Sequence, residues 1–237
     1  MSDTVEKSFT GSRTGEQAVT VRAPRAPPPS SPRLDAMIES VRRGEDVVNW
    51  AFDGIYPDHL GQLSPRHWTP LAVALSATRM LVTDETTRVL DVGAGVGKLC
   101  LVGALTTPGH FTGIEQRGHL VEVARRVAGH YGAGRAEYLH GDVRDVDWDR
   151  FDAFYFYNSF GENHLEPADW IDDSVEISYA RFERDVPAAL SRLGRARPGT
   201  RVVTYHGLGA ELPPSYERRA TEPAGSGALD LWLKVRP

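Results

Sequence analysis

Between Arg88 and Lys98 the chain reads Arg-Val-Leu-Asp-Val-Gly-Ala-Gly-Val-Gly-Lys, an apolar run that ends in an acid and three glycines at alternate positions. Glycine is required where the backbone turns to positive φ, or where a ligand must come closer than a β-carbon allows. A strand running into such a turn and then into a helix therefore predicts a ligand seated on Gly93, Gly95 and Gly97. A phosphate-binding loop needs four residues between its glycines and a Ser or Thr after the lysine. Here three residues separate Gly93 from Gly97 and Leu99 follows Lys98, which disfavours ATP and GTP. A dinucleotide fingerprint spaces its last glycine one residue later, which disfavours NAD.

Other chemistry-bearing residues follow at strand ends. Glu115 closes the run Phe111-Thr112-Gly113-Ile114-Glu115 and lies 18 residues beyond Gly97. That is about where the next parallel strand must end, and a carboxylate there can accept both hydroxyls of a ribose in charge-assisted hydrogen bonds. A third run ends His140-Gly141-Asp142-Val143. A fourth is the aromatic stretch Phe154-Tyr155-Phe156-Tyr157-Asn158-Ser159-Phe160, at the sheet edge where open α/β folds bind ligands. The aromatics Phe154 to Tyr157 read chiefly as core. The histidines lack metal-ligand spacing and Cys100 is the only cysteine, so no metal site is expected. His206, just past the fifth strand, is a candidate base. Lys98 reads as a snorkelling lysine on a helix surface.

The array Asp91-Val92-Gly93-Ala94-Gly95-Val96-Gly97, Glu115 and Asp142-Val143 resembles the class I S-adenosylmethionine-dependent methyltransferases. The resemblance covers roughly residues 85–237. It implies S-adenosylmethionine as cofactor, with Glu115 on the ribose, Asp142 on the adenine amino group, the Val143 N–H on a ring nitrogen, and Asp91 near the methionine amine. Asn158 and Phe160 become the catalytic candidates at the transferred methyl, with Asn158 also touching the cofactor. The Asn-x-Phe motif and Gly-Val-Gly loop are similar to those of the DOT1-like lysine methyltransferases. Ser159 stands where those enzymes have proline or asparagine, and Ala94 where they have serine. An amine on a protein or small molecule is thus the preferred acceptor. O- or C-methylation of a small molecule, or cofactor binding without catalysis, are the alternatives.

These residues need a fold to converge. Short apolar runs alternating with helical periodicity predict an α/β, Rossmann-like sheet of seven mainly parallel strands with helices on both faces. Strands are expected at 88–92, 110–115, 136–140, 151–157 and 201–206, then an antiparallel hairpin from 216–222 and 229–235 about Gly225-Ser226-Gly227. Helices are expected at 96–105, 119–131 and 175–193. Residues 1–33, ending in a Pro-rich run, read as a disordered tail; residues 34–84 as N-terminal accessory helices that flank or cover the site; residues 85–237 as the cofactor domain. Within the flank, Thr69 before Pro70 reads as the cap of a helix from Leu71 to Leu81, and Trp68 or Tyr56 as a cover for the methionine end of the cofactor.

Composition bounds the partners. With 27 Lys+Arg against 32 Asp+Glu in 237 residues, the net charge is −5, so no strong nucleic-acid signal exists. No stretch is apolar enough to span a bilayer or form a secretory core, and a single cysteine suits a reducing cytoplasm. Oligomeric state leaves no mark in the sequence.

Overall fold

A computed structural model of the chain describes residues 31–237. Most of the expected tail, residues 1–30, lies outside them. At residue 31 the chain is already at a helix boundary. Ser31 accepts the Leu34 N–H, and Pro32, which has no N–H to leave unpaired, opens helix α1 (Pro32–Arg42).

The flank continues as three short helices, α2 (Asn49–Asp53), α3 (Asp58–Gly61) and α4 (Ser64–His67), and one longer helix, α5 (Leu71–Leu81). The start of α5 is not capped by Thr69. The Leu71 N–H is taken by the Asn49 side chain at 2.8 Å, while the Thr69 hydroxyl pairs with Tyr155 at 3.3 Å. Pro70 fixes an extended backbone that turns Thr69 away from the helix axis.

Beyond it, β1 (Arg88–Val92), α6 (Lys98–Thr106), β2 (His110–Glu115), α7 (Gly118–His130), β3 (Ala136–His140), β4 (Ala153–Tyr157), α8 (Tyr179–Arg195) and β5 (Arg201–Tyr205) alternate as the periodicity predicts. The hairpin β6 (Tyr216–Ala224) and β7 (Gly227–Lys234) turns through Gly225 and Ser226. The sheet order is β3-β2-β1-β4-β5-β7-β6, parallel from β3 through β5 and antiparallel at β7 and β6. Among the described residues no helix is long and apolar enough to cross a membrane.

The strand pleat splits the core in two. Val89 and Tyr155 point into a cluster shared with α1, α5, α6 and α7, whereas Leu90, Phe154 and Phe156 point into one shared with Val186, Ala189 and Leu193 of α8. This buries both faces of the central strands, as a parallel sheet requires. It also fixes the site: from β1 the chain goes to β2 on one side and later to β4 on the other, so the carboxyl ends of β2, β1 and β4 lie side by side at a topological switch point.

Candidate functional site

The loop after β1 has the backbone its glycines imply, with φ of 76° at Gly93, 54° at Gly95 and 77° at Gly97. Their surroundings differ. Gly93 borders a cavity, with Ser159 across from it. A β-carbon on Gly95 would strike the Trp68 ring, and one on Gly97 the Tyr138 ring. Gly97 is therefore held by close packing beneath the loop, and Gly95 is in addition the seat of Trp68.

The cavity beside the loop measures about 330 Å³. Gly93, Gly95, Glu115, Asn158 and Ser159 line it, as do Arg66, His67 and Trp68 from the flank. Glu115 is buried, and each carboxylate oxygen receives one backbone N–H: Gly95 to Oε2 at 3.0 Å and Arg117 to Oε1 at 2.9 Å. Burial raises its pKa, against the lowering by those N–H groups and the Arg117 charge. Each oxygen retains a lone pair that a hydroxyl donor can use.

Asp91 lies under the loop in a narrow recess that it shares with Gly93, Lys98, His67 and Tyr157. It is 4% exposed, and burial pushes its pKa up to about 7, with the Cys100 thiol as hydrogen-bond donor at 3.7 Å. A carboxyl so short of compensation favours the arrival of a cation. The Ser159 hydroxyl, buried without a partner beside Gly93, is a second polar group there with unmet hydrogen-bonding capacity.

Asn158 sits one residue past β4 with φ 45°, a left-handed conformation that asparagine tolerates. Its backbone is held at both ends, by the Tyr205 carbonyl and the Gly161 N–H. Gly161 has no β-carbon because the Asn158 amide occupies that space. The amide makes no side-chain hydrogen bond within the described residues, so it is available at the cavity wall.

Other expected residues stand elsewhere. Phe160 is buried against Phe156 in the α8-side core and does not line the cavity. Asp142 and Val143 lie at the end of β3, also off the cavity wall. Asp142 accepts two bonds from the Arg144 guanidinium at 2.9 Å, and Arg144 holds its carboxyl well down, at about 2. Tyr56 is in the core beneath the flank, and His206 borders the β6–β7 turn near Ser226 rather than the cavity. Trp68 alone of the two proposed covers reaches the loop, its indole N–H fixed to the Leu60 carbonyl at 2.9 Å.

Lys98 corrects its sequence reading. Far from snorkelling, it is 2% exposed, and its ammonium donates to Asp53 at 2.6 Å and Asn49 at 2.7 Å. The helix-surface expectation fails because α2 packs over the start of α6. Burial lowers the Lys98 pKa while Asp53 works against that fall. Asn49 in turn donates to Asp53 at 2.8 Å and caps α5. One buried network thus ties the helix after the glycine loop to the flank that carries His67 and Trp68.

Arg117, which the sequence reading passed over, holds the opposite wall. Only 4% exposed, it donates to Glu162 and Asp172, both at 2.9 Å, pinning the segment between β4 and α8 to the end of β2. Its place two residues beyond Glu115 was the available signal. Across the mouth of the cavity, Arg66 pairs with Asp169 of that same segment.

A methyltransferase-domain family model matches residues 89–174, spanning β1 through the segment after β4. The matched segment is a methyltransferase domain, and the fold around it is that of S-adenosylmethionine-dependent methyltransferases. Among solved structures, this methyltransferase is similar to an RNA methyltransferase from Salinibacter ruber in complex with S-adenosyl-L-homocysteine, at 22% identity over 71% of this chain and 94% of that one, with a TM-score of 0.51. TrmN from Thermus thermophilus is similar at 20% identity over 73% of this chain and 52% of that one, TM-score 0.50. This methyltransferase therefore spans about half the length of TrmN. A comparison with curated proteins finds no match.

The cavity fits the cofactor. Glu115 offers lone pairs for ribose hydroxyls, and Asp91 is a buried carboxyl short of a cation. Ser159 is an unmet polar group, and no phosphate-sized cradle of cations is needed. When bound, S-adenosylmethionine supplies an electrophilic methyl carbon on a sulfonium.

Proposed function

We propose that this methyltransferase transfers its methyl group to an amine nitrogen on a cationic small molecule or protein side chain. The observation that carries this reading is the charge of the wall facing the acceptor. From Asn158 to Ser178 the chain holds six carboxylates, Glu162, Glu166, Asp169, Asp172, Asp173 and Glu176, and no lysine or arginine. Glu162, Asp169 and Glu176 line the cavity itself with Glu115; Arg66 and Arg117 line it too and pair with Asp169 and Glu162, so four carboxylates against two guanidiniums leave the lining acidic by two charges. Such a wall attracts an ammonium and repels a phosphodiester, so an RNA acceptor, the substrate class of one structural relative, is disfavoured.

In this reading Glu115 holds the ribose, Asp91 draws the methionine ammonium, and Gly93 lets the cofactor lie against the loop. Asp142, occupied by Arg144, is spared for the adenine only if that pair opens. Asn158 accepts an N–H of the acceptor through its amide oxygen, aiming the nitrogen lone pair at the methyl carbon. Much of the rate then comes from positioning. The buried Cys100 suits a reducing cytoplasm as the place of work.

The test is to supply methyl-labelled cofactor and the protein to a host-cell lysate, then separate protein, metabolite and nucleic-acid fractions. Label is expected on amine nitrogen in the protein or metabolite fraction. Label confined to nucleic acid, or to hydroxyl oxygen, would refute the amine assignment.

A further inference from the structure

Amine methylation needs somewhere for a proton to go, since an ammonium has no lone pair to attack with. Within the described residues, only His67 and Tyr157 among titratable side chains line both the main cavity and the recess that reaches Asp91. Tyr157 is a poor base: burial raises its pKa, and its hydroxyl already donates to the Arg66 carbonyl at 3.4 Å.

His67 is differently placed. It ends α4, tilted against Trp68 with ring centroids 6.0 Å apart, and no hydrogen bond engages either ring nitrogen among the described residues. Trp68 is itself seated on Gly95, so the imidazole is carried to the point where the cofactor loop and the end of β4 meet.

We propose that His67 takes the proton from the acceptor nitrogen before methyl transfer. The inference rests on the amine reading above. The acceptor N–H bond breaks and its proton passes to an imidazole nitrogen, leaving the pair on the acceptor. That pair forms the new N–C bond to the methyl carbon while the C–S bond breaks and its electrons remain on sulfur. The imidazolium then returns its proton to solvent.

The charges around His67 permit this. Arg66 beside it on α4 and Arg117 after β2 oppose a charged ring, while Glu162 and Asp169 of the acidic segment favour one. From the recess, Asp91 of β1 and Lys98 of α6 face the same space. Burial outweighs the carboxylates and lowers the His67 pKa, so the ring is neutral and able to accept a proton at physiological pH.

The test needs no acceptor. S-adenosylmethionine and S-adenosylhomocysteine differ by one methyl group and the sulfonium charge, so a ring facing the transfer point must titrate differently in the two complexes. At about 8 Å and an effective dielectric near 20, a unit charge moves the midpoint by roughly 1.5 pH units. Imidazole resonances of histidine-labelled protein would be followed against pH in both complexes. The His67 signal would be assigned from His67→Gln, or by sequential assignment through Arg66 and Trp68 if that variant fails to fold. The expected result is a ring neutral at pH 7 in free protein, with a lower midpoint in the S-adenosylmethionine complex. Equal midpoints in the two complexes, or a ring still charged at pH 7.5 with S-adenosylmethionine bound, would overturn the proposal. Because only cofactors are used, such a failure removes the base and leaves the amine reading to its own labelling test.

Discussion

Replacing Lys98 with methionine is expected to cost about 3–5 kcal/mol of folding stability, the usual penalty for leaving one member of a buried ion pair without its partner. Asp53 would keep the Asn49 amide at 2.8 Å but lose the ammonium at 2.6 Å, in a place where its side chain is 7% exposed. Denaturant unfolding of the single variant measures this loss. The double variant with Asp53→Leu should recover most of it, because two apolar side chains of similar volume carry no stranded charge. A loss below about 1 kcal/mol in the single variant would mean that water reaches the pair. The variant should also bind cofactor less well, since the same network holds the flank that sets Trp68 on Gly95.

The second large effect concerns Asn158. Its Ala substitution is expected to lower methyl transfer to the labelled acceptor by about 10²-fold, as misplacing a reacting group by about 1 Å does. Affinity for S-adenosylhomocysteine should stay within a few-fold, because the amide makes no side-chain hydrogen bond to the loop or to Glu115. Initial rates at saturating cofactor, beside a direct binding titration, separate the two quantities. Equal losses in both would make Asn158 a structural or cofactor residue. An unchanged rate would remove its role in aligning the acceptor.

The parts of this molecule that the sequence made legible are those governed by local rules. The strands at Arg88–Val92, His110–Glu115 and Ala136–His140 announced themselves because short apolar runs were bounded by glycine turns. The Gly225-Ser226 hairpin did so because two residues of that kind match the twist of the strands. Glu115 was legible because strand and helix lengths fix where β2 must end. What escaped was set by tertiary contact. Lys98 looks like any first-turn lysine until α2 is laid over it, and nothing near position 98 mentions Asp53. Arg117 gains its meaning from Glu162 and Asp172, 45 and 55 residues away. Phe160 read as a catalytic candidate at the transferred methyl, but the strand pleat and the turn at Asn158 carry it into the α8-side core. Asp142 shows why a residue's type and place are insufficient to assign its role: Arg144, two residues on, takes the carboxylate.

Calorimetric titration of S-adenosylhomocysteine into the wild-type protein and into Glu115→Ala tests most directly whether the cavity is the cofactor site. On the proposed role of Glu115 as acceptor of the ribose hydroxyls, removing its carboxylate should weaken binding by about 1.5–3 kcal/mol, the worth of hydrogen bonds to a charged group, which is roughly 10- to 150-fold in Kd. One site per chain with that loss is the expected result. Wild-type affinity retained in Glu115→Ala would contradict it, and would place the cofactor somewhere other than the ends of β1, β2 and β4.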